Sequence, residues 1–316
     1  MTKETTNQRI AFIDAAKGFL ILLMLLGHIW NDGLVHDIIY TFHMPAFFVI
    51  SGILLPVSLP EDSSFLKVII KKARTLLIPY LFFEVFAICV HILLYGATLN
   101  IKGYLFEILS LHLYNGPLWF LLCMFLCQLL FLCVICLHLP KAVTLSTLFF
   151  LIMILPKYPQ YVSISTIVTG SFFLLLGFCF KDFWVKNSPP RGLLLISCTI
   201  VLIASLNNVG MPDYQDGSRL LFIAGAISGT YSLLQFSKYV VCKPLCYCGQ
   251  NSLIILGSHY PILRIAKQLL HIHEFSILSG ISFLFILLPL ECLIIQFINC
   301  FIPFAAGKKA TTRKYI

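Results

Sequence analysis

The sequence predicts an all-α fold, a multi-pass transmembrane helical bundle. The 316 residues are 59% hydrophobic and only 11% charged, and the mean hydropathy is +0.94. The chain therefore has too little polar surface to cover a water-soluble globule of its size. Long apolar runs recur from end to end and are continuous rather than alternating. Because lipid tolerates only helices or closed barrels, the continuous runs favour helices.

The apolar runs divide the chain into about ten predicted spans, each suited to a hydrocarbon core of about 30 Å. They cover residues 16–34, 38–56, 76–97, 117–138, 142–156, 162–180, 192–209, 219–236, 250–270 and 276–304. The connections between them are too short to hold a soluble domain. Residues 1–316 are therefore predicted to form a single integral-membrane domain.

Basic residues gather in alternate loops, and this pattern predicts the orientation in the bilayer. The cytoplasmic side of a membrane protein collects Lys and Arg. The richer set of loops and ends holds Lys3, Arg9, Lys67, Lys71, Lys72, Arg74, Lys141, Lys181, Lys186, Arg191, Lys238, Lys243, Lys308, Lys309, Arg313 and Lys314. Both termini are therefore predicted to be cytoplasmic. The same distribution accounts for the formal net charge of +9, so the expected partner is the lipid bilayer, with no nucleic acid.

Ionisable residues cluster in the first predicted span. Asp14 and Lys17 are three residues apart, which allows an ion pair, and His28 follows Lys17 by eleven residues. That spacing returns to almost the same helix face, about 16 Å farther along the axis. Charged residues inside a span are functional candidates by default. Two alternatives stay open: Asp14 and Lys17 can reach water at the end of the span, and His28 can be hydrogen-bonded within the bundle.

The second span carries His43, followed by Met44 and Pro45. Proline lacks a backbone N–H and frees a carbonyl one turn earlier, so we expect the helix to break or kink near the imidazole. Membrane bundles tolerate such breaks where they line a cavity. Farther along the same span, Gly52 is expected to permit the close approach of another helix.

The twelve cysteines do not indicate a disulfide framework or a metal site. Most lie inside apolar runs, where cysteine behaves as a small hydrophobic residue. Cys242, Cys246 and Cys248 are close in sequence but lack the second pair and the spacing of a zinc site. No bound metal is therefore predicted.

A series of motifs appears in the order typical of one membrane-protein family. The motifs are RIAFIDAAKG at 9–18 with Gly27 and His28, FHMPAFFVISG at 42–52, KKAR at 71–74 ahead of IPY at 78–80, PLWF at 117–120, and GQNSL at 249–253 ahead of His259. In these motifs the chain resembles the acyltransferase family 3 membrane proteins. Its pattern is most similar to the small sugar O-acetylases, such as the fucose 4-O-acetylase-like group.

The resemblance implies a multi-pass enzyme that takes an acyl group, usually acetyl from acetyl-CoA, and places it on a sugar hydroxyl. The acceptor would be a surface polysaccharide or a lipid-linked glycan, and the enzyme would lie in the cell membrane, the bacterial inner or plasma membrane. It implies no permanently bound cofactor, because the acyl-CoA is a substrate. The chain departs from the commonest family pattern at Lys17, where many members carry arginine, and at Lys71, where an Arg-x-x-Arg pair is frequent.

The resemblance also implies roles for particular residues. The family's catalytic histidine follows a basic residue by eleven positions, which corresponds to His28 and Lys17. We predict His28 as the general base, and the predicted catalytic group is His28, Lys17, Asp14 and His43. CoA phosphates are predicted to bind Lys71, Lys72 and Arg74, although these residues can equally serve only to set the topology. The predicted substrate-binding residues are Glu84, Trp119, Asn251, Ser252 and His259.

A transporter or flippase for a polysaccharide or an acyl lipid is the competing interpretation. A multi-span protein with intramembrane histidines and a basic face is compatible with that function. Acyl transfer to a hydroxyl needs a base, whereas transport does not. The stripe formed by Lys17 and His28 therefore favours the transferase.

Overall fold

The computed structural model describes residues 11–30, 32–56, 65–96, 100–109, 113–156, 162–186, 191–207, 210–211, 217–272 and 275–308. Every regular element in these ranges is helical, so the predicted all-α fold is confirmed. The α-helices are α1 (Ala11–Ile29), α2 (Leu34–Ile53), α3 (Phe65–Tyr95), α4 (Ile101–Leu109), α5 (Trp119–Cys136), α6 (Lys141–Ile154), α7 (Ile164–Cys179), α8 (Lys181–Lys186), α9 (Arg191–Ser205), α10 (Arg219–Tyr239), α11 (Lys243–Gln250), α12 (Ser252–Leu269) and α13 (Ile277–Phe301). Short 3-10 helices cover Gly116–Leu118 and Pro303–Ala306.

Within the described residues, six helical segments are long and apolar enough to cross a membrane. They are α1, α2, α3, Gly116–Cys136, α10 and Leu278–Phe301, while α6, α7 and Gly192–Ser205 are shorter apolar helices. Each of the ten predicted segments coincides with a helix. The count of about ten crossings stays a prediction. The cytoplasmic location of the termini also stays a prediction, because residues 1–10 and 309–316 lie outside the described residues.

The helices α1, α2 and α3 all begin earlier than the predicted spans, and the earlier starts of α1 and α3 bring polar residues into the helix. α1 begins at Ala11, so Asp14 and Lys17 lie inside the helix. α3 begins at Phe65, whereas the predicted third span begins at residue 76, so the basic segment 71–74 is helical and continuous with the span. A helix satisfies its own backbone hydrogen bonds and can continue from hydrocarbon into the headgroup region, where long basic side chains reach water. Hydropathy marks only the apolar part of such a helix.

The helix α1 is among the most enclosed elements of the bundle. Buried residues make up 61% of an 18-residue apolar stretch of α1, compared with 28% of the corresponding stretch of α13. It contacts α2, α10, α11 and α12. Its polar side chains therefore face protein rather than lipid, and Asp14 is only 5% exposed.

The short helix α11 packs directly against the backbone of α1. A Cβ added at Gly18 would lie 2.1 Å from the carbonyl oxygen of Leu245, and one at Gly249 would lie 1.9 Å from the carbonyl oxygen of Asp14. Both distances are far shorter than any van der Waals contact. Glycine at these two positions therefore lets the two backbones meet.

Two features expected of α2 have different outcomes. A Cβ at Gly52 would lie 1.9 Å from the carbonyl oxygen of Leu174 on α7, so the expected close approach of a second helix is confirmed. In contrast, α2 is helical without interruption through Pro45, so the helix does not break near His43, and a kink at this place stays a prediction. The surrounding helices hold α2 in place although one backbone hydrogen bond is lost at the proline.

A second proline within a helix, Pro261 in α12, shows how such a loss is compensated. Pro261 has no N–H to offer the carbonyl of Gly257 one turn earlier. The side-chain Nδ2 of Asn115 donates to that carbonyl at 2.7 Å. The residues ahead of α5 are thereby tied to the middle of α12.

Candidate active site

Three histidines from different helices meet on one side of α1. The ring centroids of His28 on α1 and His259 on α12 are 5.2 Å apart. Tyr40 joins the third, because its ring centroid is 6.3 Å from that of His28 and 4.9 Å from that of His43 on α2. The ring centroid of Tyr260 lies 5.8 Å from that of His28. We call these five residues the histidine cluster.

Backbone carbonyls determine which nitrogen carries the proton in two of these rings. Nδ1 of His43 lies 2.8 Å from the carbonyl oxygen of Ile39, and Nδ1 of His259 lies 2.8 Å from that of Ile255. A carbonyl oxygen only accepts, so each Nδ1 donates, and Nε2 of each neutral ring is an acceptor. Nε2 of His259 is buried and has no hydrogen-bond partner among the described residues. The cluster therefore presents an unused proton acceptor.

The histidine cluster is not arranged as a metal centre. Within the described part of the chain, no group of three or more His, Cys, Asp or Glu side chains is placed to hold a metal ion. The chemistry of the cluster is instead that of neutral imidazoles beside phenol hydroxyls, which accept and donate protons.

A cavity of about 240 Å³ lies between α1, α2, α3, α5 and α12. Its lining is formed by Lys17, Ile21, Met44, Phe47, Ile50, Ser51, Leu54, Leu76, Phe120, Leu121, Met124, Gln128, Ser252, Leu253 and Leu256. Most of these side chains are apolar. At one end are Lys17 and Leu54, near the predicted cytoplasmic ends of α1 and α2. At the other is Met44, the chain neighbour of His43. None of the five residues of the histidine cluster is in the lining, and the lining residues nearest to them in sequence are Met44, next to His43, and Leu256, three residues before His259.

The predicted CoA-binding residues lie on different faces of α3. Lys72 precedes the cavity-lining Leu76 by one turn, so the two residues are about 40° apart around the helix. Lys71 and Arg74 are each more than about 120° from Leu76 by the same geometry, and both are exposed. Of the three, Lys72 therefore shares the face that borders the cavity.

Asp14 and Lys17 form the ion pair that their spacing predicts. Lys17 Nζ lies 3.3 Å from Asp14 Oδ1, and Gln250 Nε2 donates to Asp14 Oδ2 at 3.1 Å. Asp14 thus connects α1 to the end of α11 and holds the ammonium group that borders the cavity. This contact is local to the cavity end of α1, whereas His28 lies about 16 Å farther along the axis.

The predicted substrate-binding residues Ser252, Asn251 and Trp119 differ in their relation to the cavity. Ser252 lines the cavity. Asn251 lies beside it, and its Oδ1 accepts from Lys308 Nζ at 3.3 Å. Trp119 is buried next to Phe120, with ring centroids 6.3 Å apart, so the cavity wall is formed by Phe120 rather than by Trp119.

Glu84 is completely buried and organises the loop that precedes α5. Its carboxylate oxygens accept from the backbone N–H of Tyr114 at 2.5 Å and of Asn115 at 3.3 Å. Burial and a hydrogen bond from its hydroxyl to Glu107 raise the pKa of Tyr114. Arg264 of α12 donates to the carbonyl of Tyr114 at 3.2 Å. In this arrangement Glu84 positions a loop.

A family model described as an acyltransferase domain, that of acyltransferase family 3, matches residues 10–298. This range is nearly the whole chain and includes the histidine cluster and the cavity. The chain belongs to acyltransferase family 3. Neither a curated protein nor a solved structure gives a significant match.

Family membership makes the protein a membrane acyltransferase, in agreement with its apolar helices. The coarser part of the prediction is thereby confirmed. The narrower likeness to sugar O-acetylases stays a prediction, as do the acyl donor, the acceptor and the base.

The structure adds residues to this candidate site that the sequence interpretation missed. Tyr40 and Tyr260 belong to the histidine cluster, and Gln128 lines the cavity. The sequence did indicate Gln128 as a candidate, because it is the only residue of α5 with an amide or charged side chain. The tyrosines had a weaker signal, because each is close in sequence to a predicted histidine.

Proposed function

We propose that this acyltransferase moves an acetyl group from acetyl-CoA to a sugar hydroxyl of a surface polysaccharide or lipid-linked glycan. The observation that carries the proposal is the cavity lined by Lys17 and by Met44 and Leu256, which lie close in sequence to His43 and His259 of the histidine cluster. CoA is made in the cytoplasm, whereas acceptors of this kind are finished outside the membrane. A donor that enters from the basic side must therefore bring its thioester through the bundle, and the cavity lies along that route.

In the proposed mechanism His28 is the general base. It takes the proton of the sugar hydroxyl while the hydroxyl oxygen attacks the thioester carbonyl. The new C–O bond forms, the C–S bond breaks, and the leaving CoA thiolate takes the proton from the imidazolium of His28. Atoms and charge balance without any further reactant.

The neighbours of His28 have supporting roles in this proposal. His259 presents an unpartnered Nε2, which can accept from a second hydroxyl of the sugar and so hold the attacking hydroxyl toward His28, whose ring centroid is 5.2 Å from that of His259. The hydroxyls of Tyr40 and Tyr260 are candidate donors to the oxyanion that develops on the thioester carbonyl. His43, with Nδ1 held by a carbonyl, keeps Tyr40 in place.

The donor phosphates are assigned to the basic end of the cavity. Lys72 shares a helix face with the cavity-lining Leu76, and Lys17 contributes a second ammonium group at the lining itself. Lys71 and Arg74 add positive potential on the exposed faces of α3. Since Ser252 also lines the cavity, we assign it to the donor rather than to the acceptor.

The decisive experiment is mass spectrometry of surface and lipid-linked glycans from cells that lack this gene. The cells are complemented with wild type, His28→Asn or His138→Asn. His138 is the matched control, because it is exposed and its φ of 51° is a conformation that asparagine tolerates. We expect an acetyl mass with wild type and with His138→Asn, and none with His28→Asn at equal membrane abundance.

The same samples distinguish the competing transport function. If glycan acetylation is the same in all strains while the amount of exported glycan falls without the gene, transport replaces acyl transfer. If acetylation depends on the gene but persists with His28→Asn, the transferase stands and His28 is not its base.

A further inference from the structure

Gln128 combines deep burial with an unused polar atom. It is 7% exposed and lies within the apolar helix α5. Its Nε2 donates to Ser51 Oγ at 3.2 Å, whereas its Oε1 has no hydrogen-bond partner among the described residues. A buried acceptor without a partner is costly, and more so at a depth where no bulk water is available. A ligand that supplies a donor would remove this cost.

The surroundings of Gln128 indicate where such a ligand would lie. Gln128 and Ser51 line the same cavity as Lys17. The walls near them are apolar, with Phe47 and Met124 among the lining residues. A purely hydrocarbon ligand would fit the walls but would leave Oε1 unpaired. The cavity therefore suits a slender chain that is mainly apolar and carries an N–H group.

The size of the cavity limits how much of a ligand it holds. A volume of about 240 Å³ is below the range of about 300–1,000 Å³ found for pockets that enclose a whole small-molecule ligand. This is enough for part of an extended chain but too little for a nucleotide. The bulky, charged portion of the ligand must then remain at the basic end, outside the cavity.

We infer that Gln128 binds the pantetheine arm of the acyl donor, with Oε1 accepting a hydrogen bond from one of the two amide N–H groups of the arm. The inference rests on the proposed function, which places CoA phosphates near Lys72 and Lys17 and the thioester at the histidine cluster. The arm is the part of CoA that joins these two ends. It is slender, and its amides are the donors that an otherwise apolar cavity must satisfy.

The first test compares Gln128→Leu with Gln235→Leu in the purified protein. Gln235 on α10 is the matched control: it is fully buried, its Nε2 also has no partner among the described residues, and it is not part of the cavity lining. Calorimetry gives the Kd for acetyl-CoA, and thermal unfolding verifies the fold. We expect Gln128→Leu to bind acetyl-CoA roughly 5- to 100-fold more weakly and Gln235→Leu to stay within about twofold of wild type.

The second test locates the contact on the donor. Two acetyl-CoA analogues are made, each with an ester oxygen in place of one amide N–H of the arm. We expect one analogue to bind wild type more weakly than acetyl-CoA by the factor seen for Gln128→Leu, and to bind Gln128→Leu no more weakly than acetyl-CoA does. The analogues also test wild type alone, so the inference remains testable if Gln128→Leu does not fold.

Failure of the inference is distinguishable from failure of the proposed function. If wild type binds acetyl-CoA and transfers acetyl groups, but Gln128→Leu and both analogues behave as wild type does with acetyl-CoA, Gln128 does not contact the arm and the transferase stands. If wild type neither binds acetyl-CoA nor transfers its acyl group, the proposed donor is wrong and the inference is overturned with it.

Discussion

At the residue level, the tautomers of His43 and His259 follow from one recurring local arrangement. In each case Nδ1 donates to the carbonyl four residues earlier, and a proline follows two residues later. The imidazole is thus held by its own helix, and Nε2 points away as an acceptor. In His259 this Nε2 acceptor has no hydrogen-bond partner among the described residues. A substitution can therefore remove Nε2 while the hydrogen bond to the backbone carbonyl is kept.

Replacing His259 by asparagine removes the Nε2 acceptor and keeps the hydrogen bond to the backbone. The Nδ2 group of asparagine can still donate to the carbonyl of Ile255, but no atom occupies the position of Nε2. We expect His259→Asn to fold normally and to lower kcat by about 100-fold, the loss that a misplacement of the reacting group by about 1 Å can cause. The measurement is acetyl transfer to a glycan acceptor by the purified enzyme.

His138→Asn again serves as the control for handling and for the substitution itself. Retained turnover in His259→Asn, with an unchanged thermal transition, would contradict a role for Nε2. A loss of turnover together with early unfolding would instead assign His259 to the packing of α12.

At the level of helices, the contact between α1 and α11 positions the basic end of the cavity. α11 ends at Gln250, which donates to Asp14, and Asp14 in turn pairs with Lys17. The contact depends on Gly18 and Gly249, where a Cβ would collide with backbone oxygens. Backbone atoms cannot move aside as a flexible side chain can, so the two helices would have to separate.

Gly249→Ala should therefore destabilise the protein by about 1–3 kcal/mol, the usual cost of overpacking. The measurement is the thermal transition in detergent. Gly192→Ala is the matched control, because a Cβ at Gly192 in α9 meets nothing within 4 Å and alanine favours a helix. Equal transitions for the two variants would show that α11 is free to shift away from α1.

At the level of the whole molecule, the orientation in the membrane decides which substrate reaches which end of the bundle. The proposal places the donor at the basic end, where Lys17, Lys72 and Arg74 lie, and the acceptor on the other side. The orientation itself comes from the distribution of Lys and Arg between alternate loops. It is therefore open to a direct test.

Fusion reporters provide that test. A green fluorescent protein at the C-terminus is expected to fluoresce, and alkaline phosphatase at the same place is expected to be inactive, because both termini are predicted to be cytoplasmic. Alkaline phosphatase joined after Gly96, at the end of α3, is expected to be active. The reverse pattern would place the basic residues outside and exclude cytoplasmic CoA as the donor at that end.

Much of the site was predictable because its parts lie within single helices. The ion pair of Asp14 and Lys17 follows from a spacing of three residues, and the stripe from Lys17 to His28 follows from helical periodicity. The start of α3 was predicted too late, since a hydropathy run ends where charge begins although the helix continues. The helix α2 does not break at Pro45, because tertiary packing can hold a helix through one missing hydrogen bond.

The sequence by itself determined that this protein is an all-α membrane protein and, through its ordered motifs, an acyltransferase. Composition and periodicity suffice for the fold class because lipid permits few backbone structures, whereas the acyltransferase function was implied only by the resemblance of the motifs. Only the tertiary structure decided that His28 meets His259, that Lys72 is the basic residue of α3 on the face that borders the cavity, and that Gln128 lines the cavity. Periodicity gives the faces of each helix, whereas the contacts between faces depend on how helices far apart in the chain pack together.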